Sequence, residues 1–177
     1  GNGFSIAALV GRRDIMELGG LDHDGERVFL ISTTHGAENH ALAACIAALQ
    51  VCRKENVSDH MWKIGAELID ALNAAAGKAG MSELFEAFGI ACSPAYVCRT
   101  GDGTPSPELR TLFNREMISR GILIPYVAPS LAHDHAAIEQ TAKAAEESLA
   151  ACADALTNGL EGVLRGDVIK PVFRKFN

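Results

Sequence analysis

Gly1-Asn2-Gly3-Phe4-Ser5-Ile6-Ala7-Ala8-Leu9-Val10 is the stretch whose reading decides the fold. Gly-Asn-Gly is a turn signal. It feeds Phe4 to Val10, a short apolar run suited to a buried strand. Such a strand needs neighbours on both sides. Only Val28-Phe29-Leu30-Ile31 nearby offers one, and two strands make a poor sheet. The pattern therefore predicts that a larger sheet lies upstream of Gly1 and that the chain is a fragment.

Working outward, Asp14 is a predicted N-cap for Ile15-Met16-Glu17-Leu18, with Gly19-Gly20 as its stop. Ser32-Thr33-Thr34-His35-Gly36 is a small polar loop, and a helix is expected from Glu38 to Lys54 with Leu42, Cys45, Ile46 and Leu49 on one stripe. Asn56 or Ser58 can cap a second helix, in which Met61, Ile64, Leu68, Leu72 and Ala75 recur at helical spacing. Ala95 to Cys98 reads as a strand, closed by the loop Thr100 to Pro105. Ser106-Pro107-Glu108 combines a cap, a first-turn proline and an acid. The stripe behind it is Leu109, Leu112, Phe113, Met117 and Ile118. Gly121 to Pro125 is expected to be a short buried strand. A last helix is expected from Asp134, with Ile138, Ala142, Ala145, Leu149, Cys152 and Leu156 inward and Asn158-Gly159 at its end. Strands alternating with helices define an α/β class.

Composition narrows the function. The chain of 177 residues is 48% hydrophobic and 21% charged, with a net charge of −6. An acidic balance argues against nucleic acid, whose phosphates need clustered Lys and Arg. No run of about 18 apolar residues is present, so no membrane helix is expected. Five cysteines, Cys45, Cys52, Cys92, Cys98 and Cys152, are odd in number and lack C-x-x-C spacing. They are expected to be buried thiols of a cytoplasmic protein. His133 and His135 lie two apart with no completing ligands, so no metal is expected.

Several segments resemble the class III pyridoxal-phosphate (PLP) aminotransferases, in particular the glutamate-1-semialdehyde aminomutase group. Residues 1–16, ending in Gly11-Arg12-Arg13-Asp14-Ile15-Met16, resemble that family's glycine-rich turn, strand and following element. Ser32 to Glu38 lies where the family has a "G-T-x-S-G-N-P" loop. Arg110 to Met117 with Arg120-Gly121-Ile122-Leu123 resembles its small-domain helix and strand, and Ser130-Leu131-Ala132-His133 its lead-in to the last helix.

The resemblance implies the C-terminal part of a PLP-dependent transferase of fold type I. Residues 1–56 would end the large PLP-binding domain. Residues 57–177 would form the interdomain helix and the small C-terminal α/β domain. The family's cofactor lysine precedes the glycine-rich turn in a "GK-x-x-G-x-G" pattern, which here would begin upstream of Gly1. Lys54, Lys63, Lys78, Lys143, Lys170 and Lys175 lack that context. No catalytic residue is therefore assigned within the chain, and the chain alone is expected to be inactive. The family's matching threonine implies that Thr33 binds the PLP phosphate of the neighbouring subunit in a homodimer with shared active sites, with Ser32 as a second donor. Read from the residues alone, Ser32 and Thr33 equally serve as caps for the helix opening near Ala37.

The chain departs from the aminomutase pattern at two places, the first being Gly36-Ala37-Glu38 where that family's loop has "G-N-P". At the second, only Tyr126-Val127-Ala128-Pro129 separates Pro125 from Ser130, without the carboxylate that the mutases carry near the substrate amines. Transfer between a small-molecule amino donor and a carbonyl acceptor needs no such group. The expected activity is therefore aminotransferase first and aminomutase second. A non-catalytic α/β module that binds a partner or an anion through the Thr33 loop is the third reading. Arg174 and Lys175 are expected to be a charged tail.

Overall fold

Ser106 Oγ accepts the backbone N–H of Leu109 at 3.1 Å, and Pro107 fills the position whose missing N–H costs nothing. These residues start the helix as the sequence predicts. The computed structural model describes residues 3–26, 28, 38–164 and 166–170. Its elements are α1 (Arg13–Met16, continued by a 3₁₀ turn, Glu17–Gly19), α2 (Asn39–Lys54), α3 (Val57–Lys78), β1 (Phe85–Ile90), β2 (Ser93–Cys98), α4 (Pro107–Ser119) and α5 (His135–Asn158). The fold is mixed α/β, with a two-stranded antiparallel sheet among the described residues. The chain divides into two units between Glu55 and Asn56.

In the first unit the expected strand is absent. Residues 4–10 form no ladder and are exposed apart from the half-buried Ile6. A strand forms only against a partner edge, and the partner expected at 28–31 lies, beyond Val28, outside the described residues. Asp14 is not a cap either. The helix starts at Arg13, and the Asp14 carboxylate pairs with Arg12 at 2.6 Å. The α2 helix forms as expected, but its apolar stripe is uncovered: Leu42, Ile46 and Leu49 are exposed, and Ala41 is buried.

In the second unit α3 and α5 pack together, and the hairpin β1–β2 lies against α3. The apolar spacings place the core correctly. Ile64, Leu68, Leu72 and Ala75 of α3 are buried, as are Leu109, Leu112, Phe113 and Met117 of α4 and Ile138, Ala145, Leu149 and Cys152 of α5. Ile118 and Leu156, at the ends of their stripes, are exposed. Asn56 sits at the cap position of α3 in a left-handed conformation, but its side chain donates to Asp59 rather than capping the backbone. At α5 the Asp134 carboxylate accepts the N–H of Ala137 at 2.9 Å.

Only the second strand of the hairpin is legible in the sequence. Phe85 pairs with Cys98 and Ile90 with Ser93, giving a strand that the sequence left irregular. Residues 121–125 form no strand. Their carbonyls are taken by side chains instead: Tyr96 donates its O–H to Ile124 O at 2.9 Å, and Arg110 donates to Pro125 O at 3.1 Å. The thiols also differ from expectation. Cys98 and Cys152 are buried, but Cys45 and Cys92 are half-buried and Cys52 is exposed. Burial pushes the Cys98 and Cys152 thiols up to about 12, which leaves them protonated and unreactive at neutral pH.

Ser148 of α5 is fully buried, and its Oγ has no hydrogen-bond partner. Ser148→Ala should therefore raise stability, by about 1 kcal/mol, since it removes a desolvated hydroxyl. Urea denaturation checks this. A lower midpoint in the variant would mean that the hydroxyl is satisfied.

Candidate functional site

Ser32 and Thr33, the residues singled out for phosphate binding, lie outside the described residues, as do His35, Gly36 and Ala37. The helix that follows them is described. Its N-cap is Glu38, in an extended conformation, and no side chain there accepts a first-turn N–H. Neither Ser32 nor Thr33 is therefore the N-cap of α2. The Glu38 carboxylate faces His40 Nε2 at 3.4 Å. The N–H groups of the first turn of a helix lack intrahelical partners, and the helix dipole adds positive potential there. The first-turn N–H groups of this 16-residue helix are donors of the kind a phosphate takes, with the Glu38 carboxylate beside them. By contrast α4 and α5 have their caps filled by Ser106 and Asp134.

The second unit contains a polar cluster that the sequence did not single out. The Tyr96 phenol donates to Ile124 O and reaches Asn114 Oδ1 at 3.1 Å, and the Arg110 guanidinium lies 5.2 Å from the Tyr96 ring centroid. Burial raises the Tyr96 phenol above its ordinary range, against the lowering influence of Asn114 and Arg110. The phenol stays a neutral donor. Its role is to hold residues 121–125 in place.

Those residues form one side of a cavity of about 430 Å³. Ile64 and Leu68 of α3 and Ile138 of α5 form its apolar floor, and residues 121–129 close its side. His133, which the sequence marks as a helix-start residue, stands at its edge. Ser130 donates its backbone N–H to His133 Nδ1 at 3.0 Å, and His60 Nε2 donates to the His133 carbonyl at 2.8 Å. The sequence gives little signal for this cavity, because its walls come from three separated stretches. Arg174 and Lys175 lie outside the described residues. Among the described residues no group of three or more His, Cys, Asp or Glu side chains is placed to hold a metal ion, and no helix is long and apolar enough to cross a membrane.

No protein-family model matches the chain, and no solved structure matches it.

Proposed function

We propose that this chain is part of a PLP-dependent aminotransferase, moving an amino group between a small amino donor and a carbonyl acceptor. The reading rests on the ordered segments that resemble the class III family, from Gly11-Arg12-Arg13-Asp14-Ile15-Met16 to Ser130-Leu131-Ala132-His133. The structural observation that supports it is the N-terminus of α2, a few residues after Ser32 and Thr33, where Glu38 rather than either hydroxyl holds the cap position. Thr33 would give its hydroxyl and backbone N–H to the cofactor phosphate, and Ser32 a second hydroxyl. Bound there, PLP supplies an electron-withdrawing ring to the substrate's α-carbon. The part of this chain is to hold and orient the phosphate end.

The exposed stripe Leu42, Ile46 and Leu49 on α2 suits cover either by the rest of the large domain or by the partner subunit of the homodimer that the reading implies. The aminomutase is the second reading. It ranks lower because Tyr126, Val127, Ala128 and Pro129 bring no carboxylate to the segment where the mutases have one.

Thr33→Ala tests the assignment in the full-length protein. Loss of a charge-assisted hydrogen bond should weaken PLP binding by about 1.5–3 kcal/mol. Equilibrium dialysis against PLP measures it. Unchanged affinity would remove Thr33 from the site.

A further inference from the structure

The cavity of about 430 Å³ in the second unit has a composition that specifies a ligand class. Ile64, Leu68 and Ile138, all buried, make a preformed apolar floor. Leu123 and Tyr126 stand at its rim, each 77% exposed. Large side chains so exposed beside a concave apolar surface are a mark of recognition rather than of core packing. None of the lining residues is Asp, Glu, Lys or Arg. A charged body would thus lose its hydration and gain no ionic partner.

The polar side chains of the lining are Tyr126, His133, Gln140 and Thr141. Because the Ser130 N–H donates to His133 Nδ1, that nitrogen carries no hydrogen in the neutral ring, and the hydrogen sits on Nε2. His133, a lining residue, therefore carries its ring hydrogen on Nε2, a tautomer fixed by the backbone. Thr141 spends its own hydrogen on Ala137 O at 2.8 Å, so it offers only lone pairs. Gln140, also in the lining, carries both donors and an acceptor.

We propose that this cavity binds a small uncharged molecule with an aromatic or branched aliphatic body and one carbonyl oxygen, the oxygen accepting from His133 Nε2–H. The site lies within the second unit and does not rest on the cofactor assignment.

The probe is 4-phenyl-2-butanone, titrated into the full chain and followed by saturation-transfer NMR. Saturable binding is expected. The carboxylate with the same aromatic body, 3-phenylpropionate, should bind more weakly, because the walls hold no cation. Ala128 lines the cavity and is exposed, so Ala128→Trp fills the space without entering the core. It should weaken the ketone at least tenfold, by about 1.4 kcal/mol. His133→Phe keeps a ring but removes the donor, and should weaken the ketone about fivefold, the size of one neutral hydrogen bond. Circular dichroism melting confirms that both variants stay folded, and Leu123→Ala at the rim gives a further weakening should either fail. No saturable binding to the wild type, or equal binding in Ala128→Trp, would overturn the proposal, as would tighter binding of the carboxylate. A protein that never takes up PLP but binds the ketone leaves this site standing.

Discussion

Replacing Gly65 with alanine should destabilise the second unit by about 3 kcal/mol, although glycine to alanine in a helix interior ordinarily stabilises by about 1 kcal/mol. The sign reverses because of a backbone approach. Gly65 lies buried in α3, and a Cβ placed on it would sit 1.6 Å from the carbonyl oxygen of Ala91 and 2.7 Å from its carbonyl carbon. Those atoms belong to the turn between β1 and β2, so no side-chain rotation relieves the clash. Either the hairpin lifts off α3 or the helix shifts along its partner α5. Both movements open the core around Leu68, Tyr96 and Phe85. The urea midpoint of Gly65→Ala against wild type measures the effect. An unchanged or higher midpoint would mean that the hairpin does not seat on α3 as described.

Phe113→Ala should cost about 3–5 kcal/mol, the range for emptying a buried phenylalanine site. The Phe113 side chain is fully buried on α4 and stands between two other rings: 5.0 Å from Phe85 at 55° and 5.4 Å from Tyr96 at 68°. Phe85 and Tyr96 themselves stack at 5.6 Å and 19°. The three rings join α4 to both strands of the hairpin, so the void would be lined by elements from three parts of the chain. A loss of this size approaches the total stability of a small domain, about 5–15 kcal/mol. Thermal unfolding followed by far-ultraviolet circular dichroism should show a broadly lowered midpoint. A loss below about 1 kcal/mol would mean that the site collapses readily around alanine.

What the sequence made legible follows physical locality. Helices α4 and α5 are readable because their signals are near-neighbour ones: Ser106 with Pro107, Asp134 with Ala137, and apolar side chains at steps of three and four. Strand β1 is hard to read because Phe88, Gly89 and Ile90 break its alternation, leaving Phe85 and Ala87 as its inward residues. The available signal was the match of Phe85 and Ala87 to Cys98 and Tyr96 across a two-residue turn at Ala91-Cys92. Phe4 to Val10 and Gly121 to Pro125 misled in the other direction. An apolar run reports a tendency to be buried, not the presence of a partner edge. At Gly121 to Pro125 that edge is replaced by the Tyr96 phenol and the Arg110 guanidinium, donors from distant positions. The candidate site divides in the same way. The start of α2 is written locally, whereas the cavity beside His133 is assembled from α3, residues 121–129 and α5 and has no local signature.

The claim of a PLP enzyme is tested most directly by the visible absorption of the full-length protein. The protein should be yellow, or become yellow when PLP is added, and the colour should remain through gel filtration. A preparation that stays colourless after PLP is added would contradict the assignment of Ser32 and Thr33 and the aminotransferase reading with it.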